Sequence, residues 1–304
     1  MQPGESQVET QGPSRVTVIL TSRDCEDALR RCLKSVEESA ERARVDVIVV
    51  DLASRDGSAQ VDSEFATVTV LRLPRNFGQT RARNIATRSA TTEYIFFLDP
   101  HVELERQTIA SLLKTLDARD DLVGAAPQLF DSEDGAPVGM SAALPLPEAL
   151  FEASRENRWL VPAQGGVVRD LALMVRRPFL TGMRFLDEKR YSHFWAELEL
   201  AYQAAHAGKK IEVIEAARGK LHPADSGPDD PGSLALLSAD RFHGAAAYIG
   251  KHAGFGAELL FRVRAGFYAL GKSLTFQQPA YHFKLLTALI GGQRIDGTQG
   301  GPLG

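Results

Sequence analysis

The feature that most constrains this chain is the alternation of short β-branched runs with amphipathic stretches. "RVTVIL" (15–20), "VDVIVVDL" (45–52), "VTVLRL" (68–73) and "YIFFLD" (94–99) are apolar almost throughout. Such runs suit strands covered on both faces. Between the first two, "SRDCEDALRRCLKSVEESAERA" sets Leu29, Cys32, Leu33 and Val36 at helical spacing, with Ser22 or Asp24 placed to cap. "TRARNIATRSA" and "RQTIASLLKTLDA" read as further helices, and "LVGAAPQLF" as a fifth strand. Alternation through about residue 125 predicts an α/β chain with a mostly parallel central sheet and helices on both faces.

Sheets of this kind bind ligands beyond the carboxyl ends of their strands. The residues predicted there are Thr21, Ser22 and Arg23, then Asp51 and Ser54, then Arg75 and Asn76, then Asp99 and His101. Arg75, Arg81 and Arg83 offer charge for a diphosphate, while Asp51 and Asp99 can hold a ribose, a base or a metal. Past residue 140 the rhythm breaks. "SAALPLPEALFEASRENRWLVPAQGG" reads as an irregular loop over the site. "VVRDLALMV" (167–175) and "KKIEVIEA" (209–216) read as strands, and "YSHFWAELELAYQAAHAG" (191–208) as a helix stopped by Gly208. The expected organisation is a disordered 1–14, an α/β domain over 15–228, a helical extension over 229–290 and a disordered 291–304.

Other classes are excluded by composition. A net charge of −4 argues against a general nucleic-acid binder. No apolar run reaches the ~18 residues of a membrane span, and the polar start "MQPGESQVETQGPS" has no signal-peptide pattern. Cys25 and Cys32 lack metal-ligand spacing and read as small core residues in a reducing, cytoplasmic setting. "AELLFRVRAGFYALGKSL" (257–274) interleaves arginines and aromatics in an apolar segment. It reads either as a helix packed on the domain or as one lying peripherally on the inner face of a membrane.

In order along the chain, "VTVILTSRD", "VDVIVVDLASRDGS", "VLRLPRNFGQTRARNIA", "YIFFLDPHVEL", "LVGAAPQLFDSEDGAP", "GMRFLDEKRYSHFWAELELAYQAAHAGKKIEVI" and "KLHP" resemble the blocks of family 2 glycosyltransferases, over about residues 15–225. The flavour is nearest to bacterial rhamnosyltransferase-type enzymes. The resemblance implies the GT-A fold and transfer of a sugar from a UDP-, dTDP- or GDP-sugar to a glycan or lipid-linked acceptor hydroxyl. The implied setting is bacterial polysaccharide or glycolipid synthesis, with an inverting outcome.

The resemblance also implies roles. Thr21, Ser22, Asp51, Ser54, Asn76, Arg83 and Asp99 would hold the nucleotide-sugar, with Asn84 ordering a loop. Glu197, in Ala196-Glu197-Leu198-Glu199, stands where the family has the acid that deprotonates the acceptor. Asp99, His101 and His222 would bind a divalent metal, Mn2+ or Mg2+. The family's D-x-D is D-x-H here, so three readings stay open: a metal site shifted towards manganese, a protonated His101 partly replacing the metal, or a site that binds without catalysing. A catalytically degenerate nucleotide-sugar or glycan-binding relative is therefore the alternative function. A nucleotidyltransferase would need a glycine-rich loop after the first strand, and "TSRDCED" is not one.

Overall fold

The structure, a computed structural model, describes residues 14–40, 45–138, 147–155, 171–223, 231–275 and 278–294. Of the ends expected to be disordered, 1–14 and 291–304, residues 1–13 and 295–304 lie outside these residues, as does the start of the strand expected over 167–175, while α9 runs to Gly291.

The parallel half of the sheet forms where the β-branched runs predict it. β1 (Val16–Ser22) pairs in parallel with β2 (Val45–Asp51) and β4 (Tyr94–Leu98), and β2 pairs with β3 (Val68–Arg72). Alternation decides what each face receives. Val16, Val18 and Leu20 of β1, with Tyr94, Phe96 and Leu98 of β4, face a core shared with α1 (Glu26–Ala40) and α3 (Thr108–Ala118). Ile19, Ile95 and Phe97 face the other core, shared with α2 (Gln79–Ser89) and α6 (Ala196–His206). Full burial of a side chain such as Phe97 contributes about 2–3 kcal/mol.

The second half of the sheet is mixed. The order of the whole sheet is β3-β2-β1-β4-β8-β6-β9-β5, with β7 (Pro137–Val138) beside β6 (Leu122–Asp131). β8 (Ala172–Arg176) runs antiparallel to both β4 and β6, and β9 (Lys210–Leu221) runs parallel to β6. The short β5 (Val102–Leu104), which the sequence pattern hid, pairs antiparallel with the end of β9. That pairing carries the chain from Asp99 directly to the strand ending beside His222.

Three expected local features form differently. The cap of α1 comes from across the loop: the Glu26 amide donates to Asp56 Oδ2 at 2.9 Å. Asp24 instead accepts from the Arg55 amide at 2.6 Å, in a left-handed conformation with φ 47°. Within the stretch read as irregular, α4 (Pro147–Arg155) forms and buries Leu150 and Phe151. The helix expected from residue 191 begins at Ala196, because Trp195 takes φ 77° as its cap.

A short helix, α5 (Arg177–Gly182), follows β8, and the C-terminal helices are α7 (Pro231–Ala253), α8 (Phe255–Leu274) and α9 (Pro279–Gly291). Phe242 of α7, Phe261 of α8 and Leu285 of α9 join the same core as Phe97. Trp195 packs on α7, its indole N–H donating to the Arg241 carbonyl at 2.8 Å.

Candidate functional site

The carboxyl ends of β1, β2 and β4 place the expected donor-side residues along one edge. Ser22 and Asp51 are register partners across β1 and β2. Both are buried, and Ser22 Oγ has no hydrogen-bond partner among the described residues. The Asp51 carboxylate accepts from the Ser54 amide at 3.2–3.3 Å, and the Ser54 hydroxyl accepts from the Asp24 amide at 3.1 Å. This lacing holds the loops after β1 and β2 together. Thr21 is buried one position before Ser22. Arg23, beside Asp51 and mostly covered, adds a cation there; burial lowers its pKa, with Asp24 and Asp51 opposing. Sequence reading noted Arg23 at the strand end and gave it no role.

The loop before α2 depends on one glycine. Gly78 has φ +91°, and a Cβ there would lie 2.6 Å from Ser192 Oγ and 2.9 Å from the Ser192 carbonyl oxygen. Asn76, buried, turns its Oδ1 to the Gly78 amide at 2.9 Å and so shapes this approach. Arg75 and Arg81 both stack on Phe77. Asn84 brackets Leu186, accepting from its amide and donating to its carbonyl, and also donates to Glu188. That grip fixes Arg184 and Phe185, two non-glycine residues at positive φ. Asn84 thus ties α2 to the segment around Leu186 and Glu188.

Arg83 and Glu197 meet. They stand 114 positions apart in sequence, and Arg83 Nη1 donates to Glu197 Oε1 at 2.5 Å with both side chains buried. The guanidinium also lies over the Phe97 ring and helps lower the pKa of Asp99. One buried cation therefore pairs with the acid on α6 and acts electrostatically on the acid after β4. Glu199, two residues on, points elsewhere. It is buried, accepts from Lys251, His252 and Gln203 at 2.7–2.8 Å, and takes a longer bond from Tyr191. Burial works to raise its pKa, but Lys251, Gln203 and His252 lower it more. Burial and the adjacent Glu199 push the Tyr191 phenol upward.

The three residues expected at a metal are divided between two pairs. Asp99 Oδ1 accepts from the His101 amide at 2.8 Å and faces His101 Nδ1 at 2.9 Å. Burial acts to raise the Asp99 pKa, yet the His101 contacts hold it below the usual carboxylate range. His222 donates its amide to the His101 carbonyl at 2.9 Å, which brings the two backbones side by side. Its ring, however, meets Glu103 Oε2 at 2.7 Å. Among the described residues, no group of three His, Cys, Asp or Glu side chains is arranged to hold a metal ion. Glu103, on the short strand β5, lies inside the block "YIFFLDPHVEL", whose pattern assigned it no role.

The family described as Glycosyl transferase family 2 matches residues 17–181. A pre-mycofactocin glycosyltransferase of Mycobacterium tuberculosis is 30% identical over 210 residues, covering 66% of this chain and 41% of the relative. A teichoic acid poly(glycerol phosphate) polymerase of Staphylococcus epidermidis is 28% identical over 115 residues, covering 36% of this chain and 16% of the relative. The chain thus spans less than half the length of either relative. Among solved structures, a mannosyltransferase from Pyrobaculum calidifontis in complex with GDP-Man and Mn2+ superimposes with a TM-score of 0.52 at 16% identity, covering 92% of this chain and 85% of its own. GalNAc-T7 with UDP, GalNAc and Mn2+ gives a TM-score of 0.53 at 16% identity, covering 84% and 55%. At that identity the likeness shows the fold, and it is the GT-A fold expected from the sequence.

Proposed function

The chain belongs to glycosyl transferase family 2, and from that premise we propose that it moves a sugar from a nucleotide-diphosphate donor to an acceptor hydroxyl. The single observation that carries this reading is the buried Arg83–Glu197 pair. Arg83 contacts the acid at the proposed base position and acts electrostatically on Asp99, at the proposed diphosphate position. The donor's nucleoside would lie against Thr21, Ser22, Asp51, Ser54 and Asn76. The acceptor oxygen would attack the anomeric carbon, its proton passing to the Glu197 carboxylate, and the nucleoside diphosphate would leave with the bonding pair. Such a single displacement inverts the anomeric centre. Arg83 would hold Glu197 in a fixed position and oppose the negative charge that grows on the leaving group.

The two solved relatives carry GDP-Man or UDP together with Mn2+, so a UDP-, dTDP- or GDP-sugar with a divalent ion belongs to the proposal. Asp99, His101 and His222 supply the right donor types for manganese. As arranged, the three do not converge on one point. A glycan or lipid-linked acceptor in bacterial polysaccharide or glycolipid synthesis completes the reading. Its setting would be cytoplasmic, with peripheral contact to the membrane's inner face through residues 257–274. No helix among the described residues is long and apolar enough to cross a membrane.

Binding without catalysis is the second reading. The observation favouring it is that Glu197 already lies against a buried arginine, which opposes proton uptake.

Two measurements separate these readings. A thermal-shift panel of UDP, dTDP and GDP, each with and without Mn2+, reads binding and metal dependence. Donor turnover by Glu197→Gln then reads catalysis, with an expected loss of about 10²–10⁴-fold while nucleotide binding persists. Wild-type protein that binds nucleotide but never releases it from any activated sugar would establish the second reading instead.

A further inference from the structure

Among the described residues, the exposed large apolar side chains all fall in α8 and α9. They are Phe255, Leu259, Leu260, Val263, Phe267, Leu270 and Leu274 on α8, and Phe283 and Ile290 on α9. Phe267 is 69% exposed and Ile290 78%. On α8 these residues recur at spacings of three and four, with Leu259 and Leu260 adjacent, which gathers them on one side of the helix. The opposite side is buried through Phe261, Ala265 and Ala269. α8 packs beside α9, and both helices carry exposed large apolar side chains. Scattered exposed apolar residues need no explanation, but a stripe of seven along one helix, with two more on its neighbour, marks a docking surface.

Charge identifies what docks there. From residue 231 onward the sequence holds seven Lys and Arg against three Asp and Glu, a net +4, while the whole chain carries −4. Helical rotation sets Arg262 and Arg264 on either side of the apolar stripe. Arg262 is shared with Glu258 through bonds of 2.7–2.9 Å, and Arg264 covers Phe151. A second copy of this chain would bring two basic faces together, at a cost in repulsion. An anionic lipid surface meets both the apolar stripe and its basic margins.

We propose that α8 and α9 form a peripheral membrane-docking face, which seats the exposed side chains among the acyl chains of an anionic bilayer and sets the flanking cations at its headgroups. This sharpens the peripheral contact proposed above in two ways. The face begins at Phe255 and includes α9, beyond the stretch 257–274. It also stands independently of which sugar is transferred.

The test is flotation of the full chain with neutral phosphatidylcholine vesicles and with vesicles enriched in phosphatidylglycerol. The double variant Leu260→Asp/Phe267→Asp runs in parallel. The expected result is vesicle binding at least about tenfold stronger on the anionic membrane, weakened by salt, and lost in the double variant. Both substitutions sit on exposed positions away from the donor site, so melting temperature and nucleotide binding should match wild type. Failure of sugar transfer would leave this result standing, and a lack of vesicle binding would leave the transfer reading standing. The proposal is overturned if the full chain stays off both membranes, or if the double variant binds as well as wild type. It is also overturned if sedimentation velocity shows a dimer that the double variant dissolves without any uptake on vesicles.

Discussion

Arg83 and Glu197 lie buried and charged at the sheet edge, whereas Phe267 and Ile290 lie exposed and apolar on the C-terminal helices. Neither arrangement is what folding alone favours. An interior ion pair is often no better than apolar packing, and an exposed apolar face invites association. The contrast teaches where to look in each region. At the sheet edge, interest lies in polar groups withdrawn from water. On α8 and α9 it lies in apolar groups left in water.

The largest expected effect breaks the first side of this comparison. Arg83→Met would leave Glu197 buried without its bridging cation and should cost about 3–5 kcal/mol, read by urea denaturation. The companion Arg83→Met/Glu197→Leu should regain part of that loss while remaining without turnover. A double variant no more stable than the single one would show that the pair is not the reason.

Next comes acid. His243, buried between α7 and α9, faces the Ala288 carbonyl and the Arg262 guanidinium, with Arg294 also near. Burial holds its pKa down to about 4. The unfolded chain takes up its proton near the ordinary value of about 6.5, while the folded chain resists until about 4. The stability contributed by neutral His243 is thus complete above pH ~6.5 and falls by about 2 kcal/mol on the way to pH 5. Asp99 and Glu199 are also shifted down, but as carboxylates they act in a lower pH window. Their depressed pKa values contribute stability that is present above the ordinary carboxylate range and is lost only as pH falls through their folded values. The helical layer should therefore loosen before the sheet edge does. Amide hydrogen exchange at pH 7 and pH 5 should show α7 and α9 losing protection first. Equal loss in β1 and β4 would erase the distinction.

A smaller effect is expected at the turn before α2. Gly78→Ala meets both a positive φ and the Ser192 backbone, and should cost about 1–2 kcal/mol. Nucleotide affinity should fall with it if this loop shapes the donor site. The smallest belongs to the apolar face, where Phe267→Ser should change stability by no more than about 0.5 kcal/mol. A large loss there would mean that Phe267 is part of the packed core.

Much of the parallel half was legible because its signals are local. The runs at 16–22, 45–51, 68–72 and 94–98 carry enough apolar surface to need cover on both faces, and α1 and α3 show that cover in their own periodicity. α4 was not legible. Its Pro-, Ala- and Leu-rich stretch is held as a helix by burying Leu150 and Phe151 against α7 and α8, and Phe151 meets Phe242 and Phe261 edge to face. β5 escaped for a similar reason, since three residues make a strand only when β9 arrives to pair with them. The residue types of the candidate site could be named from order and resemblance. Their partners could not, and His222 meeting Glu103 rather than Asp99 depends on how β5 and β9 register.

By itself, then, the sequence determined the chain's class, the strand ends where polar groups gather, and the family whose blocks it repeats. Those properties follow from spacing along one strand or helix, which the chain carries wherever it goes. Only the tertiary structure decided that Arg83 closes on Glu197, that Glu199 is drawn to Lys251 and His252, and which face of α8 is left uncovered. Each of these is a meeting, or a missed meeting, between elements distant in sequence. Pairing and burial energies depend on that proximity, and no local pattern records it.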